Sequence, residues 1–115
     1  MTHRIIIEDD KLFTVQAFLN VIPDSDFVKT LRNLTNGIGA TFNDICCLFP
    51  EDLDPWDEPF EGICFSVLNE EIVISKEEFS KYLRNAAMTY AHKYPDKEIE
   101  ILQLLNEFDQ FTKDV

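Results

Sequence analysis

The segment from residue 62 to residue 75 restricts the fold more than any other part of the chain. Two short runs of β-branched and aromatic residues, Ile63–Leu68 and Glu71–Ser75, flank the polar pair Asn69-Glu70. This pattern is typical of an antiparallel β-hairpin. An isolated hairpin is only marginally stable in water, so the chain must also supply a third strand or a covering helix. We predict that Ile5–Ile7 is the third strand.

The residues that follow the hairpin predict two helices. Ser75, Lys76, Glu77 and Glu78 match a capping box, in which the Ser75 hydroxyl accepts a hydrogen bond from the backbone of Glu78. Apolar residues then recur at helical spacing as far as Tyr94. The last helix starts at Asp96, and the short connection makes the two helices antiparallel neighbours. Its predicted inward residues are Ile99, Leu102, Leu105 and Phe108, with Ile101 and Leu104 beside them.

The N-terminal part of the chain has a less decisive pattern. Residues 5–22 fit a helix capped by Asp9 or Asp10, although alternation from Phe13 to Val21 also fits a strand; we favour the helix. The inward residues of that helix would be Leu12, Val15, Leu19 and Ile22.

A second helix is expected to start at a cap on Asp24 or Ser25 and to end at Gly37, where a left-handed residue is needed. Residues from Phe42 to Phe49 predict a short helix that Pro50 stops. The expected architecture is therefore α+β, with several helices packed on a small antiparallel sheet in a single domain over residues 1–115.

The composition narrows the range of partners. The chain has 115 residues, enough for one domain with a real core, and 22 acidic against 10 basic residues give a net charge of −12. Nucleic acids and anionic membranes are bound through clustered Lys and Arg, so neither is an expected direct partner. The expected partner is a basic macromolecule.

An acidic loop precedes the hairpin and carries much of this charge. Between Asn33 and Ser75, nine carboxylates occur without one Lys or Arg. Pro55 and Pro59 prevent a regular helix or a central strand there, so we predict a surface loop. Negative charge without any positive charge, next to aromatic residues, favours a binding surface for a basic partner. The alternative is that these carboxylates only keep the protein soluble.

Trp56 has two interpretations within this loop. It either caps the core or anchors an interface, because Trp desolvates a large area at little cost in rotamer freedom. The predicted partner-binding residues are Glu51, Asp52, Asp54, Trp56, Asp57, Glu58 and Glu61, with Glu70 and Glu71 at the hairpin turn as a secondary set.

No motif predicts catalysis, a cofactor or a metal site. Asp52, Asp54 and Asp57 do not form a calcium loop, because Pro55 and Trp56 occupy its middle. The odd number of cysteines, with two of them adjacent, predicts free thiols in a reducing cytosol. The start of the chain does not resemble a signal peptide, and no run reaches the roughly 20 apolar residues of a membrane span, so we expect a cytoplasmic protein.

Residues 54–108 carry a resemblance to a known family. The stretch DPWDEPFEGICFSVLNEEIVISKEEFSKYLRNAAMTYAHKYP, followed by an acidic, leucine-rich helix, resembles the immunity proteins of bacterial contact-dependent growth inhibition systems, particularly those paired with ribonuclease toxins. The resemblance implies a non-catalytic cytoplasmic protein that binds the C-terminal nuclease domain of a CdiA-type protein and blocks its active site. The residues alone also leave open a small acidic adaptor or structural subunit, and, more distantly, an enzyme with an unrecognised carboxylate site.

Overall fold

A computed structural model of the chain describes residues 4–50, 55–56 and 60–113. In these residues a single antiparallel sheet is combined with helices, which confirms the predicted α+β class. The helices are α1 (Phe13–Val21), α2 (Phe27–Thr35), α3 (Lys76–Lys93) and α4 (Glu98–Lys113). The strands are β1 (Ala40–Phe42), β2 (Ile45–Leu48), β3 (Ile63–Val67) and β4 (Glu70–Ile74).

The four strands lie in chain order, each antiparallel to the next. The predicted hairpin is β3 and β4, with Phe65 opposite Ile72 and Ile63 opposite Ile74. Its turn is Leu68-Asn69, one residue earlier than the predicted Asn69-Glu70. β4 is therefore an edge strand of the described sheet.

The predicted helix over Phe42–Phe49 is wrong, because this segment forms β2 and its turn with β1. Asn43 occupies the left-handed region at φ 57°, which Asn tolerates well and which reverses the chain. Cys47 and Phe49 are fully buried, whereas Leu48 between them is exposed. This two-residue period is that of a strand; in a run this short it is easily confused with a buried helix.

The predicted strand Ile5–Ile7 is also wrong, because β2 supplies the third strand instead. The segment runs along α1, and side chains of that helix bind its backbone. The Asn20 side chain accepts from the Ile5 amide at 3.0 Å and donates to the Ile5 carbonyl at 2.9 Å, while Gln16 accepts from the Ile7 amide at 2.6 Å. These bonds replace a strand ladder.

A row of aromatic rings connects the sheet to the helices. Phe18 of α1 lies 5.6 Å from Phe65 of β3, measured between ring centroids. Phe65 lies 4.9 Å from Phe79 of α3, and Phe79 lies 5.9 Å from Phe108 of α4. All four rings are fully buried. The core thus lies between the inner face of the sheet and the helices, as the apolar stripes of α1 and α3 predicted.

The inward face of α4 differs from the prediction. Ile101, Leu104, Leu105 and Phe108 are buried, a spacing of i, i+3, i+4 and i+7, as expected for one helix face. Ile99 and Leu102, which were predicted to point inward, are 79% and 41% exposed. The prediction was therefore right for Leu105 and Phe108 and wrong for Ile99 and Leu102, whose places on the buried face are taken by Ile101 and Leu104.

The predicted N-terminal cap of α3 and the predicted C-terminal residue of α2 are right, whereas the predicted N-terminal cap of α2 is wrong. The Ser75 hydroxyl accepts from the Glu78 amide at 3.0 Å, and Gly37 has φ 71° after α2. A 3-10 turn, Asp24–Asp26, precedes α2, and no side chain caps that helix. The Asp24 carboxylate instead binds Arg4, Lys93 and Tyr94.

Candidate interaction surface

The sheet side of the protein is poor in positive charge. The sheet and its connections contain no Lys or Arg between Asn33 and Ser75. Four ion pairs join residues of the N-terminal segment and the helices: Arg4–Asp24, Lys93–Asp24, Arg32–Glu100 and Arg84–Asp109. Among the described residues, Glu61 and Glu70 enter no ion pair, although Lys76 lines the same cleft as Glu61 and Lys11 the same cleft as Glu70.

The predicted site residues that the structure describes are Trp56, Glu61, Glu70 and Glu71, and all four are exposed. Trp56 is 80% exposed, which excludes its interpretation as a core cap. Glu51, Asp52, Asp54, Asp57 and Glu58 lie outside the described residues.

The described acids do not form one patch. Glu61 precedes the start of β3, whereas Glu70 and Glu71 follow its far end, and a strand of this length spans roughly 13 Å. The structure thus places the predicted residues at two ends of the β3–β4 hairpin.

A cleft of about 550 Å³ lies at the end that carries Glu61. Phe60 and Val73 form apolar walls, and Lys76 and Glu77 add one charge of each sign. Gly62 has φ 101°, and a Cβ there would lie 2.3 Å from the Ile74 carbonyl oxygen. Only glycine therefore allows the chain to enter β3 so close to the end of β4.

A second cleft, of about 380 Å³, lies at the turn end of the hairpin, and we call it the turn cleft. It is formed between the start of α1 and the first half of β4. The residues that line it are Asp10, Lys11, Phe13, Thr14, Asn69, Glu70, Glu71 and Ile72. Leu68 lies at the tip of the same hairpin, 78% exposed and with φ 56°.

Phe13 and Thr14 were not among the predicted site residues. Phe13 is 51% exposed, and Thr14 is buried at 3% exposure. A helical projection of α1 with Leu12, Val15 and Leu19 inward leaves Phe13 off the buried face, so an exposed aromatic was detectable. Its proximity to Glu70 was not, since 57 residues separate the two.

The cysteines carry no sign of reactivity. All three are free, and Cys47 and Cys64 are buried. Burial, together with the nearby Glu71 carboxylate, raises the pKa of the Cys64 thiol to about 11. Cys64 is thus protonated at neutral pH, whereas a nucleophilic cysteine must be a thiolate. No cluster of metal-binding side chains occurs within the described ranges.

Trp is enriched in protein–protein interfaces, and charged side chains at the rim of an interface steer association. Residues 11–105 match the family model of the CDI immunity proteins, those of contact-dependent growth inhibition. The chain belongs to this family, and its role is immunity against a CdiA toxin. No curated protein sequence matches the chain. None of the helices in the described residues is both long and apolar enough to cross a membrane.

Proposed function

We propose that this immunity protein neutralises its toxin by binding alone, through the acidic sheet side, and that the toxin is a basic ribonuclease. The observation that carries the proposal is the segregation of charge. Arg4, Arg32, Arg84 and Lys93 are paired with acids of the helical side, whereas the acids beside β3 and β4 have no cationic partner among the described residues.

A nuclease suits this surface because its active site must attract a polyanion. RNA phosphates are held by clustered Lys and Arg, and a carboxylate-rich surface competes for the same side chains. Unscreened opposite charges also accelerate encounter, which favours capture of a toxin before it reaches its substrate. Bound in this way, the immunity protein covers the active site. We propose that this occurs in the cytoplasm, without catalysis or a cofactor.

Trp56 and the acids have different roles in this proposal. Trp56 is the apolar anchor, because its exposed ring desolvates a large area on binding. Glu61, Glu70 and Glu71 steer the partner and pair with its cations, as we propose also for the loop acids Glu51, Asp52, Asp54, Asp57 and Glu58. The residues of the acidic loop and of the hairpin then contact one toxin molecule together.

The test uses the C-terminal domain of the CdiA-type protein encoded beside this chain. We expect a one-to-one complex in sedimentation experiments, RNA cleavage by the free toxin domain, and loss of that cleavage at equimolar immunity protein. If the toxin domain binds but does not cleave RNA, the toxin is not a ribonuclease and that part of the proposal is wrong. If this protein does not bind the toxin domain but forms a stable assembly with other proteins, the alternative of a small acidic adaptor or structural subunit is favoured.

A further inference from the structure

The strand register separates the side chains of the sheet onto two faces. Cys47 and Phe65 lie opposite one another and are fully buried, and Phe18 of α1 and Phe79 of α3 pack against Phe65. Successive side chains of a strand point to opposite faces, so the residues between these form a second face. We call it the outer sheet face, and in strands β2, β3 and β4 it consists of Cys46, Leu48, Cys64, Ser66, Glu71 and Val73.

The centre of the outer sheet face is apolar and partly open. Leu48, Cys64 and Val73 lie opposite one another in a row across β2, β3 and β4. Leu48 is 39% exposed and Val73 is 41% exposed, so the described helices leave both ends of the row open. The solvated face of an antiparallel sheet is normally polar, and contiguous exposed apolar side chains mark interaction sites. The row therefore indicates a surface that a partner covers.

This row continues into the cleft at the Glu61 end of the hairpin. Val73 belongs to the outer sheet face and also lines this cleft of about 550 Å³, together with Pro50 and Phe60. Gly62 adjoins Val73, because a Cβ on Gly62 would lie 3.4 Å from Val73 Cγ1. The row and the cleft thus form one apolar surface with a depression at its end, a shape that accepts an apolar side chain of a partner.

The charges around this surface select the partner. Glu71 is the one charged residue of the outer sheet face, and its carboxylate lies beside the Cys64 thiol. The cleft adds Glu61, Glu77 and Lys76, so carboxylates outnumber cations. Two copies of this chain joined through the outer sheet face would bring these like charges together. A partner that carries a lysine or arginine beside an apolar side chain has the complementary charge.

We propose that the outer sheet face binds the toxin domain, which places an apolar side chain on Leu48, Val73 and the adjoining cleft and a lysine or arginine at Glu71. This inference rests on the proposed function and deepens it, since it assigns an apolar contact to the sheet side of the protein. The apolar contact holds the complex, and Glu71 orients the toxin domain on the strands.

The first experiment compares the same substitution at two leucines of similar exposure. Leu48→Thr puts a hydroxyl on the outer sheet face and keeps a side chain that suits a strand. Leu102→Thr on α4 is the matched control, because Leu102 is 41% exposed. We expect Leu48→Thr, and likewise Val73→Thr, to weaken binding of the toxin domain by about tenfold, because the hydroxyl is buried in an apolar contact.

The control variant and the free protein complete this comparison. Leu102→Thr should bind the toxin domain within about twofold of the unaltered protein, because it lies on α4. The unfolding midpoint of the free protein should fall no more for Leu48→Thr than for Leu102→Thr. A residue whose role is only to stabilise the fold would lower the midpoint and leave the affinity of the folded protein unchanged.

Hydroxyl-radical footprinting locates the contact without a substitution. In the free protein, Leu48 and Leu102 have similar exposure and should be oxidised to a similar extent. The toxin domain should protect Leu48 and leave the oxidation of Leu102 unchanged. If the complex forms and Leu48 is oxidised as in the free protein, the outer sheet face is not the contact.

Other occupants of the outer sheet face give different results. If a second copy of this chain covers it, the free protein sediments as a dimer and Leu48→Thr makes it a monomer. If the loop between β2 and β3 covers it, Leu48 is protected in the free protein, and Leu48→Thr lowers the unfolding midpoint more than Leu102→Thr does. Either result overturns the inference.

The outcomes also separate this inference from the proposed function. If the unaltered protein does not bind the toxin domain, the proposed function fails and this inference fails with it. If the unaltered protein binds, but Leu48→Thr and Val73→Thr bind as tightly as Leu102→Thr, only the assignment of the outer sheet face is overturned.

Discussion

Leu68 illustrates how much a single residue contributes to the candidate surface. It has φ 56° in the β3–β4 turn and is 78% exposed. A left-handed conformation is unfavourable for a branched, bulky side chain and suits Gly or Asn. Leucine here gains little from burial, so the position costs stability and presents an apolar side chain at the tip of the β3–β4 hairpin.

We therefore expect Leu68→Gly to stabilise the free protein by about 0.5–1 kcal/mol. This value is the backbone strain that glycine removes from the folded state, minus the conformational entropy that glycine adds to the unfolded chain. The measurement is the urea unfolding curve. Asn43→Gly is the control, since Asn43 has nearly the same φ in the first hairpin but tolerates it. Leu68→Gly should gain more stability than Asn43→Gly; an equal or smaller gain would show that Leu68 is not strained.

At the scale of elements, α3 begins at a cap that can be tested directly. The Ser75 hydroxyl accepts from the Glu78 amide, one of the free amides of the first turn. We expect Ser75→Ala to reduce the free energy of unfolding by about 1 kcal/mol. Ser25→Ala is the matched control, because Ser25 was an equally plausible cap but makes no cap bond at α2. If both variants have the same midpoint as the unaltered protein, Ser75 does not cap α3.

Asp24 connects the N-terminal segment to the end of α3. Its carboxylate lies 2.8 Å from both Arg4 Nη2 and Lys93 Nζ, and it accepts from the Tyr94 hydroxyl at 2.9 Å. The hydrogen bond from Lys93 is the largest contribution that lowers the pKa of Asp24, from 3.8 to about 2. Because the pKa is lower in the folded state than in the unfolded chain, this contribution is fully present above about pH 4 and is lost on acidification towards pH 2.

We expect Asp24→Asn to lower stability at neutral pH by about 1 kcal/mol, a modest value because the Asp24 side chain is 37% exposed to screening solvent. Asp24→Asn and the unaltered protein should converge in stability near pH 2. Asp26→Asn, in the same turn, serves as the control and should change the stability at neutral pH less than Asp24→Asn does. Parallel pH profiles for Asp24→Asn and the unaltered protein would refute the role of this carboxylate.

The elements differ in how far the sequence determined them. The face of α3 and the β3–β4 hairpin were predictable, because each pattern persists over many residues and a cap or a turn bounds it. The inward face of α1 was also right, although alternation in the same residues fitted a strand. β1 and β2 were not, since Ile45–Leu48 is too short for its period to separate strand from helix. Ile5–Ile7 has strand composition, but side chains of α1 satisfy its backbone, a long-range effect without a local signal.

At the scale of the whole molecule, the separation of charge predicts the kinetics of binding. Glu61→Lys combined with Glu70→Lys should slow association with the toxin domain about tenfold at low salt and flatten its salt dependence. Glu107→Lys on α4 changes the net charge equally per residue and should have a smaller effect. Stopped-flow measurements at several salt concentrations make this comparison. If the double variant and Glu107→Lys slow association equally per unit of charge changed, the net charge of the protein determines the rate, and not the charge of the sheet side.

Trp56→Ala should act on the lifetime of the complex instead. We expect faster dissociation, worth about 2 kcal/mol or more, with little change in association. Folding should be unaffected, because the side chain is 80% exposed. Ile99→Ala is the control, an equally exposed apolar residue on α4. An unfolding midpoint lowered by Trp56→Ala, or a dissociation rate equal to that of Ile99→Ala, would contradict the role of Trp56 as an anchor.

The candidate site was only partly predictable from the sequence, because part of it depends on how α1 packs against the sheet. Composition alone indicated Trp56 and the acids, because charge and aromatic content are local properties. The turn cleft joins the start of α1 to β4, and no feature of Phe13 or Thr14 in the sequence points to Glu70. Only the packing of α1 against the sheet brings these side chains together.

The exposed side chains of the turn cleft stand apart from the core that holds the fold together. Asp10, Phe13, Glu70 and Glu71 are exposed, and substitutions at such positions usually change stability by less than about 0.5 kcal/mol. We therefore expect that substitutions at these positions leave the fold intact. A library randomised at these positions, selected for survival against non-cognate toxins, should yield folded proteins with altered partner preference. In such an immunity protein the exposed residues can change as the toxin changes, because the buried core does not have to change with them.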